Sequence, residues 1–294
     1  MRGLQARGRR LARTVRRTLG LGVRVSPYTN IYHCCTQKTA SQFFREVYSD
    51  SAFFKYTGLH VKPHREIGLR SAAIHRPLPT RTIAYLYIGY PAFKAIPKPS
   101  SYKAFFLLRD PRDAVVSWYF GVQGGMVQTF VIPEMRRQVE SMDKQSGLRS
   151  VIDILESLGY FEAQRSWVDP EVAAQGIRIF RYEDFAADNQ TFLADLFAYL
   201  EIPMPSGELD ALVNRRGFSR KTRGRQQGEE KVGSHYRKGV GGDWINHFDE
   251  ATVSHFRSVT GDLIDVLGYE ELSSSPNEAV SDVGQRPPYG SSSE

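Results

Sequence analysis

The sequence contains few cysteines and no long apolar run. Its two cysteines, Cys34 and Cys35, are neighbours in the chain. Adjacent residues of a strand point to opposite faces of a sheet, so a disulfide between them would be strained. A reducing compartment, which we take to be the cytoplasm, therefore fits best. No second Cys/His pair has the spacing of a zinc site, and we predict no bound metal. No apolar run approaches the roughly 18 residues that span a bilayer, and we expect no signal peptide at the N-terminus.

Acidic residues are absent from residues 1–24, which contain eight arginines. These arginines account for the whole formal net charge of +7, so the rest of the chain is nearly neutral. No nucleic-acid-binding motif accompanies them, and we expect no nucleic-acid partner. Two interpretations of this segment stay open. It is either a solvated basic tail or a basic amphipathic helix that contacts an anionic membrane surface through Leu4, Leu11, Val15 and Leu19.

The C-terminal residues 273–294 have few large apolar side chains and much Ser, Pro and Gly, which is typical of disorder. Between the two tails we predict a single folded domain, residues 25–272. Asp188 is expected to cap a helix with a regular apolar face. The apolar runs that we interpret as strands are 30–35, 81–90, 102–108 and 176–182. Strands that alternate with helices predict an α/β fold with a mainly parallel central sheet flanked by helices, and ligands bound where strands end.

Glycine is missing where a phosphate-binding loop would have it. The stretch CTQKTASQFF (35–44) lies between an apolar strand and an amphipathic segment. The Walker A pattern GxxxxGK[ST] needs glycines that are absent here, and no GxGxxG fingerprint occurs. The Lys38 ammonium, the Ser41 hydroxyl and the N–H groups of the helix start are nevertheless all donors, which favours an anion. A lysine in a solvated surface turn is the alternative.

A second cation stands at the end of a buried strand. In AFFLLRDPRDAVVSWYF (104–120) an apolar run ends in Arg109. Asp110, Pro111 and Asp113 have the positions of a helix cap, a first helical residue and a first-turn acid. Capping does not explain Arg109, which would lie at the sheet edge where α/β proteins bind ligands. A structural ion pair of Arg109 with Asp113 is the alternative.

A third basic segment is YRKGVGGDWINHF (236–248). Arg237 and Lys238 beside Gly239 suit a phosphate clamp, because arginine offers a planar fork of donors and glycine lets the main chain approach closely. A charged surface loop is the alternative.

In this order the segments resemble the sulfotransferases that use 3′-phosphoadenosine 5′-phosphosulfate (PAPS), of the soluble cytosolic and bacterial type. The likeness runs from the strand before Lys38 to Trp244. RDPRDAVVSWYF and RKGVGGDW are the most specific matches, and QKTASQFF is a looser version of the family's 5′-phosphosulfate loop, PKSGTTW. FRYEDF (180–185) is similar to the family's YED segment. The resemblance implies the P-loop-kinase-like sulfotransferase fold, PAPS as the cofactor and adenosine 3′,5′-bisphosphate (PAP) as the product.

The resemblance also implies which residues hold the cofactor. The 5′-phosphosulfate would be bound by Lys38, Thr39, Ala40, Ser41 and Gln42. The 3′-phosphate would be bound by Arg109, Ser117, Arg237, Lys238 and Gly239, and the adenine would pack against Phe43, Tyr182 and Phe218. Each anionic end of the molecule requires its own cluster of charge-assisted donors, which explains why basic segments far apart in the sequence are needed.

By the same resemblance the chain transfers a sulfuryl group to a hydroxyl or amine of an acceptor, and Lys38 stabilises the charge on the departing oxygen. In the family a histidine at the end of a strand takes the acceptor's proton. Here that position falls near Tyr87, where no histidine is present. We therefore consider Tyr87 and His64 as bases, with His60 and His75 as further histidines upstream, although the pKa of a tyrosine is high unless the site shifts it.

Two other functions stay open. A small-molecule kinase would share the strand–loop–helix anion site, and a nucleotide-binding module without turnover would keep the cleft but lack the base. The acceptor is expected to be a small molecule or a glycan. Residues 121–165 are either a lid over the acceptor or two surface helices. Aromatic residues that either suit an apolar acceptor or belong to the core are Tyr85, Tyr87, Tyr90, Phe93, Trp118, Tyr119 and Phe120.

Overall fold

The computed structural model of the chain describes residues 22–62, 76–123, 132–216, 229 and 238–270. Apart from residues 22–24, the expected tails lie outside these ranges. Four predicted site residues also lie outside them, and their roles stay predictions: His64, His75, Phe218 and Arg237.

One parallel sheet forms the centre of the described residues. Its strands are β1 (Asn30–Cys35), β2 (His60–Lys62), β3 (Thr82–Tyr87), β4 (Tyr102–Leu108) and β5 (Arg178–Arg181). Every neighbouring pair is parallel, and the order across the sheet is β2-β3-β1-β4-β5. The chain thus places β2 and β3 on one side of β1 and crosses to the other side with β4. Such a reversal opens a crevice at the carboxyl ends of the strands, here between β1 and β4.

Helices cover both faces of this sheet. In chain order they are α1 (Ser41–Ser49), α2 (Ser51–Thr57), α3 (Tyr90–Ala95), α4 (Pro111–Gln123), α5 (Ile132–Glu140), α6 (Lys144–Ser157), α7 (Tyr160–Arg165), α8 (Pro170–Ala174), α9 (Tyr182–Ala187), α10 (Asn189–Tyr199), α11 (Ser206–Arg216), α12 (Glu250–Thr260) and α13 (Leu263–Val266), with 3-10 turns at Ser166–Val168 and Asp243–Asn246. Helices α1, α2, α9, α10 and α11 pack on one face, and the others contribute to the core on the opposite face. The arrangement is the three-layer α/β fold that the sequence predicts.

Alternate residues of β1 face the two sides of the sheet. Tyr32 and Cys34 belong to one apolar cluster, and Ile31 and Cys35 belong to the other. All six residues of β1 are buried, because both faces of the sheet are covered. The two cysteines are free, as their opposite orientations require.

The bounds of two predicted strands, β1 and β4, are confirmed. Strand β3 ends at Tyr87, before its predicted end, because Gly89 is the N-cap of α3 and Pro91 lies in the first turn of that helix. Strand β5 likewise ends at Arg181, since Tyr182 begins α9. The predicted cap is confirmed: the Asp188 carboxylate accepts hydrogen bonds from main-chain N–H groups in the first turn of α10. Strand β2 was not predicted because its three residues are too few to show a pattern.

Residues 132–165 form the three helices α5, α6 and α7, which pack on the core. Val139 of α5, Leu148 and Val151 of α6 and Tyr160 of α7 are all fully buried in the cluster that also contains α4. The apolar face of this part is packed into the core, and the lid interpretation stays a prediction. Residues 124–131 lie outside the described ranges. Within those ranges no helix is long and apolar enough to cross a bilayer.

Candidate active site

The loop between β1 and α1 makes a tight turn without glycine. Lys38 has a φ of 73°, and Ala40 has a φ of 55° and a ψ of 32°. These left-handed values strain residues that carry a Cβ atom, and glycine would adopt them freely. The Thr39 hydroxyl donates a hydrogen bond of 2.8 Å to the carbonyl of Thr36 and so closes the turn. Ala40 offers no side-chain acceptor to the first turn of α1, and the N–H groups of such a turn attract anions.

Arg109 directly follows β4 and contacts this loop. Its Nη1 donates a hydrogen bond of 2.6 Å to the carbonyl of Lys38. Its side chain is buried, and Nε has no hydrogen-bond partner in the described residues. The guanidinium carbon lies 4.2 Å from the centroid of the Tyr182 ring at the start of α9. Burying a cation with an unsatisfied donor costs free energy, so this arrangement favours an anionic ligand.

The Lys38 side chain extends toward α4. Its Nζ lies 5.6 Å from the centroid of the Trp118 ring. Trp118 is buried, and its Nε1 also has no hydrogen-bond partner among the residues that are described. The Lys38 ammonium therefore lies beside α4, and the buried donors Arg109 Nε and Trp118 Nε1 belong to the residues that follow β4.

Asp110 caps α4 as predicted, and it also binds the next arginine. Its Oδ1 accepts from the main-chain N–H of Arg112 at 2.8 Å, and its Oδ2 accepts from Nη2 of the same residue at 2.8 Å. The Arg112 guanidinium stacks 3.9 Å from the centroid of the Trp244 ring. The pair is buried, so it joins the start of α4 to the segment around Trp244.

Asp113 lies in the first turn of α4, as the sequence predicts, and its carboxylate has a further role. Its carboxylate accepts from the N–H of Gly242 at 2.6 Å and from the N–H of Trp244 at 2.8 Å. The carboxylate therefore links α4 to Gly242 and Trp244, and it also interacts electrostatically with Arg109, as the alternative of a structural pair expects. Burial raises the pKa of Asp113, whereas the charge of nearby Arg109 and these two N–H donors oppose the rise.

The segment that begins at Lys238 carries its own ion pair. The Lys238 ammonium contacts the Asp243 carboxylate, which is buried and lies 3.2 Å from Nε2 of His247. Gly239 has a φ of 73°, a conformation that favours glycine. The pair holds the Lys238 ammonium beside the residues that Asp113 binds.

Glu183, in the YED segment, connects these parts. Its Oε1 accepts from the N–H of Asp110 at 2.9 Å, and its Oε2 accepts from the hydroxyl of Tyr269 at 3.0 Å. A Cβ atom at Gly241 would lie 2.8 Å from Cγ of Glu183, so only glycine fits there. Burial raises the pKa of Glu183 to about 7, although the Asp110 N–H opposes the rise. A partly buried carboxyl with a raised pKa therefore packs against Gly241.

Tyr87 ends β3 opposite Cys35 of β1, at the carboxyl edge of the sheet. Burial raises its pKa, and a hydrogen bond with Ser41 only partly opposes this effect. The shift keeps the Tyr87 phenol protonated at neutral pH, so it is not available as a base and is suited to donating a hydrogen bond. His60 begins β2 at the opposite edge, where its ring packs 4.9 Å from that of Phe54. His60 therefore lies at the amino ends of the strands, whereas Lys38 and Tyr87 lie at their carboxyl ends, so it is not placed for proton transfer.

The remaining predicted residues differ in how far they are buried. The loop residues from Thr39 to Gln42 lie where β1 gives way to α1. Ser117 lies one turn beyond Asp113 on α4 and is partly buried. Phe43, by contrast, is buried in the core, 4.8 Å from Phe185 between ring centroids.

Sequence reasoning missed two buried residues of α7 that contact the site, Tyr160 and Gln164. Both bind main-chain carbonyls far away in the chain, which leaves no local pattern. Glu183 lies within a motif that was recognised, but its buried carboxyl was not foreseen. In the part of the chain that is described, no cluster of His, Cys, Asp or Glu could hold a metal ion.

The chain is similar to known sulfotransferases. A model described as "Sulfotransferase domain" matches residues 93–276. The chain is 28% identical to sulfotransferase 6B1 of Danio rerio over 151 residues, which cover 51% of this chain and 47% of that protein. The match thus spans about half the length of this curated relative.

Two solved structures share the fold. One is mouse sulfotransferase SULT7A1 complexed with PAP, with a TM-score of 0.53 and 16% identity over 82% of this chain and 86% of the other. The second is retinol dehydratase in a complex with retinol and PAP, with a TM-score of 0.52 and 15% identity over 82% of each chain. At this identity the likeness concerns the fold alone.

Proposed function

Because the chain belongs to the sulfotransferase domain family, we propose that it transfers the sulfuryl group of PAPS to a hydroxyl or amine of a small acceptor molecule. In this proposal Lys38 and the start of α1 bind the 5′-phosphosulfate. Arg109, Ser117 and the segment 237–239 bind the 3′-phosphate.

The observation that carries the proposal is the environment of Arg109. This buried guanidinium stands at the carboxyl end of β4, donates to the Lys38 carbonyl and keeps Nε without a hydrogen-bond partner in the described residues. An arginine in such a position gains most from a ligand with several anionic oxygens, since charge-assisted bonds are about twice as strong as neutral ones. The PAP complexes of two proteins with the same fold support the choice of ligand.

The link between α4 and residues 242–244 supports the second part of the proposal. Asp113 binds the N–H groups of Gly242 and Trp244, and Arg112 stacks on Trp244. Both contacts hold residues 242–244 beside the helix that begins after Arg109. A cation clamp for a second phosphate would distinguish the PAPS donor from ATP, which lacks a 3′-phosphate.

Lys38 would supply the main electrostatic stabilisation of the transition state. Its ammonium lies beside Trp118, in the loop that leads into α1, and would face the oxygen on which charge develops as the donor departs. Removing one such preorganised donor typically costs about 3 kcal/mol of transition-state stabilisation. The proton of the acceptor needs a base. Burial raises the pKa of Tyr87 and keeps its phenol protonated, so His64 is our candidate.

The acceptor and the location of the protein are also part of the proposal. Retinol dehydratase is described in complexes with retinol and with androsterone, which supports a small apolar acceptor for this chain. A cytoplasmic location stays part of the proposal, and the fold needs no disulfide between its two cysteines.

Transfer of radiolabelled sulfate from PAPS tests the function. We would assay a panel of phenols, alcohols and amines, with the Lys38→Ala variant as the blank. We expect label to enter at least one acceptor with the intact protein and not with the variant. Binding of PAP without transfer to any acceptor would favour a nucleotide-binding module, and phosphate transfer from ATP would favour a kinase.

A further inference from the structure

Helix α7 touches the Lys38 loop through Tyr160. The Tyr160 side chain is fully buried. Its hydroxyl donates a hydrogen bond of 2.7 Å to the carbonyl of Gln37 and accepts one of 3.0 Å from the hydroxyl of Thr36. Both partners directly precede Lys38. The hydroxyl therefore fixes the main chain of the loop at the point from which the lysine side chain extends.

The same helix touches Arg109 one turn later. Gln164 is fully buried, and its Nε2 donates a hydrogen bond of 2.8 Å to the main-chain carbonyl of Arg109. Residues four apart on a helix project from the same side. Tyr160 and Gln164 thus bind the two cation-bearing segments from one rigid element.

A direct bond between the two segments completes a closed ring of hydrogen bonds. Nη1 of Arg109 donates to the carbonyl of Lys38. The ring runs from Tyr160 to the loop, from the loop to Arg109, and from Arg109 to Gln164. The Thr36 hydroxyl donates to Tyr160, and both acceptors of the bonds that α7 donates are main-chain oxygens. These contacts fix where the chain lies and use neither the Lys38 ammonium nor the Arg109 guanidinium.

We propose that Tyr160 and Gln164 are positioning residues that hold the Lys38 loop and Arg109 at the separation that the two anionic ends of the donor nucleotide require. The inference rests on the proposed function for the identity of the ligand. Spacing matters because an error of about 1 Å in the placement of reacting groups can cost on the order of a hundredfold in rate.

The alternative is that Tyr160 only fills the core. Its ring packs 5.7 Å from that of Phe161 between centroids. The two roles are separable, because packing depends on the ring and positioning depends on the hydroxyl. Tyr160→Phe removes the hydroxyl and keeps the ring.

The chain offers a matched control for this variant. The hydroxyl of Tyr199 also bonds the main chain: it shares its one hydrogen between the carbonyls of Ala104 at 2.6 Å and Gly176 at 2.8 Å, and it accepts from the N–H of Arg178 at 3.2 Å. These contacts lie near the amino ends of β4 and β5, at the edge of the sheet away from the site. Tyr199→Phe therefore removes a similar pair of bonds without touching the anion-binding segments.

Hydrogen exchange of the protein without ligand and titration with PAP together decide the question. In Tyr160→Phe we expect the amides of residues 37–41 to exchange roughly tenfold faster, because one net hydrogen bond is lost from the local opening equilibrium. We expect the dissociation constant for PAP to rise roughly tenfold. Gln164→Met should give the same loss of affinity, and Tyr199→Phe should change neither quantity.

Unchanged exchange in residues 37–41 of Tyr160→Phe would overturn the inference, as would an equal effect of Tyr199→Phe. Absence of PAP binding by the unaltered protein would instead refute the proposed function, and the exchange rates would still decide whether Tyr160 holds the loop.

Discussion

Oδ1 of Asp113 accepts a hydrogen bond of 2.8 Å from the main-chain N–H of Trp244, 131 positions further along the chain. The other carboxylate oxygen binds the N–H of Gly242. Two segments that resemble the same family's 3′-phosphate motifs are thereby joined through a buried carboxylate. The position of the Lys238 segment relative to Arg109 consequently depends on Asp113.

Replacing Asp113 by Asn should loosen this link. One of the two oxygens becomes an NH₂ group that faces an N–H donor, so one buried main-chain donor loses its acceptor. We expect the free energy of unfolding to fall by about 1–3 kcal/mol and the affinity for PAP to fall roughly tenfold. Chemical denaturation and isothermal titration measure the two effects.

Asp143→Asn is the control for that variant. Asp143 also accepts from two main-chain N–H groups, at the exposed start of α6, where asparagine caps a helix about as well as aspartate. Its PAP affinity should equal that of the unaltered protein. A loss of affinity in Asp143→Asn as large as in Asp113→Asn would show that the effect is not specific to the link.

Lys38→Ala should remove catalysis and leave the fold intact. The contact with Arg109 uses the main-chain carbonyl of Lys38, which the substitution keeps. We expect kcat to fall by about 10²–10³-fold, as for the loss of one preorganised donor. Lys103→Ala is the control, because Lys103 Nζ also lies over an aromatic ring, 4.2 Å from the Tyr199 centroid, near the start of β4. Near-normal turnover in Lys38→Ala would refute the role of this lysine.

Glu183 should make stability depend on pH in a defined direction. Its pKa is raised from 4.5 to about 7 by burial. Between these values the unfolded chain has lost the proton and the folded chain retains it, so the free energy of unfolding falls as pH rises. At about 1.4 kcal/mol per pKa unit, the contribution of Glu183 decreases by about 3 kcal/mol across this range.

Glu183→Gln resembles the protonated side chain and should remove that slope. Denaturation of both proteins at several pH values between 4.5 and 8 measures the difference. We expect the unaltered protein to lose stability relative to the variant as pH rises to about 7, with little further change above it. A difference that stays constant over the whole range would mean that the carboxyl is ionised throughout.

Tyr87→Phe should leave the acid limb of the pH–rate profile in place. Burial raises the pKa of Tyr87, so the phenol stays protonated at neutral pH and can only donate a hydrogen bond. We expect kcat to fall less than about tenfold, the loss of one hydrogen bond. His64→Ala should abolish the limb if His64 is the base. Loss of the limb in Tyr87→Phe would return the role to the tyrosine.

Much of the fold follows from local patterns in the sequence. Strands β1 and β4 are continuous apolar runs because both faces of the sheet are covered, and such runs have clear ends. The cap Asp188 could also be predicted, because a capping residue directly precedes the helix that it caps. The end of β3 was misjudged because TIAYLYIGY continues in apolar residues after the strand stops at Tyr87. Strand β2 was missed because three residues carry too little pattern.

Two residues of the candidate site could be predicted because each occurs in a recognisable sequence motif. Lys38 and Arg109 were identified from their positions after two strands, and the structure brings them into contact. The contributions of Tyr160 and Asp113 could not be foreseen, because each binds main-chain atoms of a segment distant in sequence. Contacts of that kind are set by the packing of α4 and α7 against the sheet and leave no mark on residue spacing.

The central claim is that Arg109 and the RKGVGGDW segment bind a second phosphate on the nucleotide. Isothermal titration with PAP and with adenosine 5′-monophosphate, which differs only in lacking the 3′-phosphate, tests it most directly. We predict that PAP binds at least about a hundredfold more tightly, since two or more charge-assisted bonds of about 1.5–3 kcal/mol each would be lost without that phosphate. Equal affinities for the two nucleotides would contradict the claim.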